Sequence, residues 1–188
     1  MGEVKQPIPV KLIVGMLSSE EELFSQAEDM MSQRFGSIDF KSSLLLFNFT
    51  SYYEKEMGKG LKRKFVSFKK LINPAKIVEA KLFTNKLEKK FLYPHSHNRC
   101  LNLDPGYLTF SKIVLATTKD YQHRLYLGKG IYAEVTLRYK REKGFTSWEW
   151  TYPDYRSSEY LKIFEHLREI YTRQVKIGGE TIKSFTAY

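Results

Sequence analysis

Arg99-Cys100-Leu101-Asn102-Leu103-Asp104-Pro105-Gly106 decides how the first half of this 188-residue chain is read. Residues 99–103 read as a short strand, and Asp104-Pro105-Gly106 reads as the turn that ends it, because Pro presets φ and Gly accepts conformations other residues avoid. Upstream, Asn73 and Pro74 open a long helix in keeping with the preference of Pro for the first helical position. Its buried side, to about residue 92, is Ile77, Val78, Leu82 and Phe91. Before that helix, 43–49 and 62–68 read as strands on either side of a Gly58-Lys59-Gly60 turn. At the start, 10–17 is a buried strand closed by Ser18-Ser19, and each serine has a glutamate three positions on, the capping-box spacing. Leu23, Phe24, Ala27, Met30, Met31 and Phe35 then recur at helical spacing until Gly36 stops them. With the strand at 99–103, the order becomes β-α-β-β-α-β, the ferredoxin-like arrangement, and its four strands are expected in one sheet.

Downstream, 108–117 fits a strand or a short helix. Residues 124–127 and 131–139 form a hairpin across Gly128-Lys129-Gly130, and a further strand follows at 145–150. Ser157 or Ser158 caps a last amphipathic helix with Leu161, Phe164, Leu167 and Tyr171 inward. The expected fold is therefore α+β: a ferredoxin-like core extended by a C-terminal antiparallel hairpin or meander and a final helix. One domain is expected over 1–188, ordered over about 10–174, with 175–188 a loosely held tail.

The bulk properties agree with one filled core: 42% apolar and 28% charged residues are globular proportions at this length. A lone cysteine, Cys100, excludes an intrachain disulfide and suits a reducing compartment. No apolar run approaches a membrane span, and no signal peptide opens the chain, so a cytoplasmic protein with no membrane partner is expected. The net charge of +10 is uneven. Residues 55–90 hold 12 of the 31 Lys and Arg against three acids, which is +9 of the total. Such a segment is either a basic surface that gathers anions or a lysine-rich face kept for solubility.

Several motifs fail on context. Gly128-x-Gly130-x-x-Ala133 satisfies a dinucleotide fingerprint on paper, yet apolar and polar residues alternate through 131–138, which makes a strand where the fingerprint needs a helix. A plain tight hairpin or a phosphate-covering one remains. Neither Gly-Lys pair has the glycine a P-loop requires five positions before it, so a conventional GTPase is excluded. His95-x-His97-x-x-Cys100 offers three zinc ligands, but a fourth would have to come from distant His123 or His166, and no metal is assigned.

Two polar arrays are more informative. If Ile131, Ala133, Val135 and Leu137 point to the core, Tyr132, Glu134, Thr136 and Arg138 share the opposite face, joined by Arg124 and Tyr126 from the partner strand. Such a face suits a ligand with rings and phosphates, or it is a solvated face with cross-strand ion pairs. Lys81, Thr84, Asn85 and Glu88 form a polar stripe on the second helix. Thr and Asn are poor choices for an exposed helix interior, which leaves a buried or ligand-facing stripe beside the ordinary exposed one.

Asn102-Leu103-Asp104-Pro105-Gly106-Tyr107, Thr117-Thr118-Lys119-Asp120-Tyr121-x-His123-Arg124, Gly130 to Leu137 and Trp150-Thr151-Tyr152-Pro153-Asp154-Tyr155-Arg156 together resemble an uncharacterised, mainly bacterial family. It is a domain of unknown function of about 180 residues, marked by the N-L-D-P-G-Y element, with some members labelled GTP-binding protein. Tyr52-Tyr53-Glu54-x-Glu56-Met57-Gly58 and Lys81-x-x-Thr84-Asn85-x-x-Glu88 also resemble its pattern, and the likeness runs from about Lys11 to Gln174. The resemblance implies no activity or cofactor. It directs attention to Asp104, Tyr107, Lys119, His123, Arg124, Glu134, Asp154 and Arg156.

The leading expectation is a binder of an anionic aromatic small molecule, a nucleotide or phosphorylated metabolite, with enzymatic activity left open. Lys119, Arg124 and Arg156 would hold phosphate, and Tyr107 and Tyr132 would stack. Asp104, His123 and Glu134 would handle protons in any chemistry. Asp104, His123, Arg124, Glu134 and Asp154 are expected to converge on one cavity. The alternatives are an RNA-binding module using the basic 55–90 segment with an aromatic sheet face, and an interaction protein without a pocket.

Overall fold

Residues 2–177 are described by the computed structural model. They fold in chain order as β1 (Lys11–Ser18), α1 (Glu21–Phe35), β2 (Ile38–Lys41), β3 (Leu45–Leu46), α2 (Glu54–Met57), β4 (Lys62–Phe68), α3 (Ile77–Glu88), β5 (Asn102–Leu108), β6 (Lys112–Thr117), β7 (Leu125–Gly128), β8 (Ile131–Lys140), β9 (Gly144–Ser147) and α4 (Ser158–Ile177). The nine strands make one antiparallel sheet with neighbours β2-β4-β1-β5-β6-β8-β7, β3 adding to β4 and β9 to β8. The fold is α+β. The tail beyond Ile177 lies outside the described residues.

Helix ends follow local chemistry, with one exception. Asn73 Oδ1 accepts the Ala75 N–H at 2.9 Å, and Pro74–Lys76 forms a 3-10 turn that leads into α3. Ser157 Oγ accepts the Tyr160 N–H at 3.3 Å at the start of α4. The capping box expected before α1 does not form. Ser18 Oγ donates to the Cys100 carbonyl at 2.7 Å and accepts the Glu20 N–H, so α1 starts without a side-chain cap.

Helices cover both faces of the sheet. On one, Phe24, Ala27 and Met31 of α1 and Ile77, Ala80 and Leu87 of α3 pack on Leu12, Val14, Met16, Val66 and Leu103. On the other, Tyr160, Phe164, Leu167 and Tyr171 of α4 pack on Ile13, Phe65, Leu108, Ile113 and Leu137. A third cluster joins Leu17, Phe47, Met57 and Leu61.

Four further sequence readings need correction. The strand expected at 43–49 is the separate β2 at Ile38–Lys41 and the two-residue β3. The long helix ends at Glu88 rather than near 92. On β8 a register shift puts Ile113 opposite Leu137 and Val114 opposite Val135, leaving Thr136 as an extra residue. Alternation therefore breaks: Ile131 packs with the α1/α3 cluster and Leu137 with the α4 cluster, while Glu134 and Thr136 are both buried.

The fourth correction is Asp104-Pro105-Gly106, which is strand, not turn. β5 pairs with β1 from Asn102 to Leu108 but with β6 only from Gly106 to Leu108. The Thr109 N–H donates to the Lys112 carbonyl at 2.9 Å, which fixes the phase: Leu103, Pro105 and Tyr107 turn their backbone groups toward β6. Pro105 thus lacks its N–H on the side where pairing stops, a position a strand proline tolerates. Gly106 marks the last close approach, since a Cβ there would lie 2.5 Å from the Val114 carbonyl oxygen and 2.6 Å from Leu115 Cδ2.

Candidate functional site

Beyond Gly106 the sheet splits. Residues 102–105 remain on β1 while Ala116 and Thr117 remain on β8, and between them opens a cavity of about 780 Å³. That volume suits a small ligand.

The polar stripe of α3 caps one lip of the split. Lys81 Nζ donates to the Leu103 carbonyl at 2.9 Å, and Glu88 Oε1 accepts the Leu103 N–H at 2.7 Å. These side chains stand where a neighbouring strand would have paired, satisfying backbone groups that burial would otherwise penalise. Thr84 Oγ1 donates back to the Lys81 carbonyl, and Asn85 lines the cavity. Burial pushes the Glu88 carboxyl up, against the pull of Lys81 and the Leu103 N–H. Arg99 ties the lip to α2: it grips Glu56 in a fork (2.7 and 2.9 Å) and also donates to Glu88 and Asn102. That fork holds Glu56 below its usual carboxylate value.

Arg63 of β4 forms the inner end. It is 2% exposed, and its two terminal nitrogens each lie 3.3 Å from a carboxylate, Asp104 and Asp154. Asn102 Nδ2 donates to Asp104 at 2.8 Å, and Lys81 Nζ stands 4.0 Å from it. Burial opposes the charge of Arg63, and its surroundings, including Asp154 and Asp104, more than offset that, so it remains a cation. Burial raises the Asp154 carboxyl, while Arg63 opposes the shift. Arg63 Nε and the Tyr155 hydroxyl are buried there without a hydrogen-bond partner.

Arg124 organises the far wall. Its Nε donates to Glu134 at 2.7 Å, one terminal nitrogen to the Lys119 carbonyl at 3.0 Å and the other to the Tyr152 hydroxyl at 2.8 Å. The guanidinium also lies over Tyr121, 4.5 Å from the ring centroid. At the mouth, Lys119 Nζ donates to the Tyr52 hydroxyl at 2.9 Å, which raises the pKa of the lysine. Lys89 is exposed at the same rim and has no ion pair among the described residues.

Of the residues singled out from sequence, Asp104, Lys119, Arg124, Glu134 and Asp154 line this cavity. The other four do not. His123 sits behind Glu134, 3.2 Å from its Oε2, stacked between Tyr121 and Trp150. Tyr107 packs on the α1/α3 core, and Tyr132 lies against Tyr126. Arg156 donates to the Thr151 and Glu149 carbonyls, bracing the loop that carries Tyr152 and Asp154. Sequence reasoning passed over Arg63, hidden between Lys62 and Lys64. The available signal was its period-two parity with Phe65.

Part of the basic segment is used inside the fold. Arg63 and Lys81 are buried, and Lys62 and Lys64 pair with Glu21 and Glu28. Lys55 and Lys59 precede β4 while Lys69 and Lys70 follow it, and these four exposed charges flank opposite ends of that strand; Lys76, Lys86, Lys89 and Lys90 are exposed as well. The Gly128-Lys129-Gly130 hairpin, with Lys129 and Gly130 both left-handed, is a tight turn whose residues do not line the cavity. Cys100 is buried while His95 and His97 are exposed, and the described residues contain no group of three or more His, Cys, Asp or Glu that could hold a metal ion. Among the described residues, no helix is long and apolar enough to cross a membrane.

No curated protein and no solved structure matches the chain. A family model, described as Domain of unknown function (DUF4416), matches residues 8–171. Nearly all of β1 to α4 falls within that match, and the chain belongs to the DUF4416 family.

Proposed function

We propose that this protein binds a small anionic ligand carrying an aromatic ring, a nucleotide or a phosphorylated metabolite, in the slot between β5 and β6. The observation that carries this reading is the lining itself: a cavity of about 780 Å³ where Phe49, Tyr52 and Tyr121 meet Lys89, Lys119, Arg63 and Arg124. Aromatic rings stack on a planar ligand, and ammonium groups at the rim meet its phosphate. Arg99 and Arg124 each donate to protein partners through all three guanidinium nitrogens and act by shaping the walls. Asp104 and Asp154 would exchange protons with a bound ligand, whereas His123, expected to share that role with Asp104 and Glu134, does not line the cavity. We read β1-α1-β2-β4-α3-β5 as a ferredoxin-like half, since its neighbours run β2-β4-β1-β5 with both helices on one face. An RNA-binding role draws less support, because helices cover both faces of the sheet where such a module leaves one open.

A thermal-shift screen against nucleotides and sugar phosphates tests the proposal. At least one class should raise the melting temperature in a concentration-dependent way, and Lys119→Ala should weaken that rise. A flat response across the panel would contradict it.

A further inference from the structure

Resting on the reading just given, we propose that the ligand is a nucleotide and that one hydroxyl of its sugar fills the gap between Lys81 and Asp104 on the β5 lip of the slot. Lys81 Nζ stands 4.0 Å from Asp104 Oδ1, too far for a direct hydrogen bond. Both groups have capacity left. Lys81 gives one of its three N–H bonds to the Leu103 carbonyl, and among the described residues no other group accepts from it. Asp104 takes the Arg63 and Asn102 donors on Oδ2, which leaves Oδ1 with no donor within hydrogen-bond reach among the described residues. Both residues line the cavity. A hydroxyl fits such a gap, because it accepts from the lysine and donates to the carboxylate. Bonds of ordinary length, about 2.7–2.9 Å, span 4.0 Å with an angle of about 90° at the hydroxyl oxygen.

The two ends of the slot differ in what they can hold. At the inner end Asp104 and Asp154 stand against Arg63, with Lys81 beside Asp104, so the charges there balance and a phosphate would meet two carboxylates. At the rim Lys119 donates to a neutral tyrosine and Lys89 has no ion pair among the described residues, which leaves two cations for phosphate. A phosphate needs donors only, whereas a sugar hydroxyl needs a donor and an acceptor together, and the inner end supplies that mixture. Asn85 adds to it. It stands one helical turn after Lys81 on the same side of α3 and lines the slot with no hydrogen-bond partner among the described residues. Its amide offers both donors and an acceptor to an adjacent hydroxyl, which accounts for a residue that helix interiors disfavour. Phosphate at the rim, a ring on the aromatic wall and a sugar on the β5 lip together describe a nucleotide.

Calorimetric titration with ATP, GTP, CTP and UTP, each beside its 2′-deoxy and 3′-deoxy forms, and with tripolyphosphate tests this. For the nucleotide that binds most tightly, removal of one of the two hydroxyls should weaken binding at least about tenfold, because it strips Lys81 and Asp104 of their shared partner. Asp104→Asn should bring that ratio toward one. Its carbonyl oxygen stays with Arg63 and Asn102, and its amide nitrogen, a donor, takes the place of Oδ1. Both deoxy forms binding as tightly as the parent would overturn the inference, since water then serves the gap as well. An unchanged ratio in a folded Asp104→Asn protein would do the same. The deoxy comparison uses the unaltered protein and decides the inference by itself if the variant does not fold. Tripolyphosphate matching the nucleotides would also overturn it, yet leave the anion-binding reading standing. Failure of every nucleotide to bind would overturn it too, and the sugar phosphates of the thermal-shift panel then decide the broader reading alone.

Discussion

Arg63 is the residue on which the inner site depends. A guanidinium this deeply buried is tolerable because Asp104 and Asp154 flank it, and the same guanidinium is what allows two carboxylates to share one cavity end. Arg63→Met keeps the volume and removes the charge. The variant should lose about 3–5 kcal/mol of unfolding free energy by urea titration at neutral pH, since it leaves Asp154 buried and uncompensated. The deficit should shrink as acid protonates the Asp154 carboxyl, which burial raises. Glu56 makes an independent pH prediction of known sign. Arg99 lowers its folded-state value, so its stabilisation is present above the ordinary glutamate pKa and is lost as pH falls through the lowered one. Glu56→Gln should be less stable than the unaltered protein at neutral pH, and the two denaturation curves should converge on acidification.

At the scale of elements, α3 is more than a packing helix. Lys81 and Glu88 replace the strand that β5 lacks over Leu103, and this explains why the polar side chains at 81, 84 and 88 are buried. Lys81→Met should strand the Leu103 carbonyl and cost about 1–3 kcal/mol in chemical denaturation. Lys86→Met, on the exposed side of the same helix, should stay within roughly 0.5 kcal/mol. Equal effects would show that the Leu103 contact carries no weight. The elements differ in how legible they were in the sequence. β1, α1, β4 and α4 were readable because apolar spacing or an unbroken buried run declares them locally. β5 was not, because Pro-Gly is turn chemistry unless a strand happens to lose its partner at that proline. The bulge at Thr136 was equally silent, since one extra residue changes which face Leu137 reaches without altering the alternation on paper. Five site residues were legible as polar groups in a coherent stretch. His123, Tyr107, Tyr132 and Arg156 looked the same in sequence, and only the packing around them separates cavity from support.

For the whole molecule, the sheet is continuous on either side of one split. β2, β4 and β1 hold β5 on one lip, while β8, with β7 and β9 on it, holds β6 on the other. α3 enters the split from one face and the loop carrying Tyr152 and Asp154 from the other, so the slot is built by the full fold and not by any single loop. Amide chemical-shift mapping during an ATP titration tests most directly whether this slot is the binding site. The largest changes should fall on both lips, at 102–104, 106 and 115–119, with the exposed Lys69, Lys70 and Lys76 little affected. Changes confined to those exposed lysines, or scattered evenly over the surface, would contradict it.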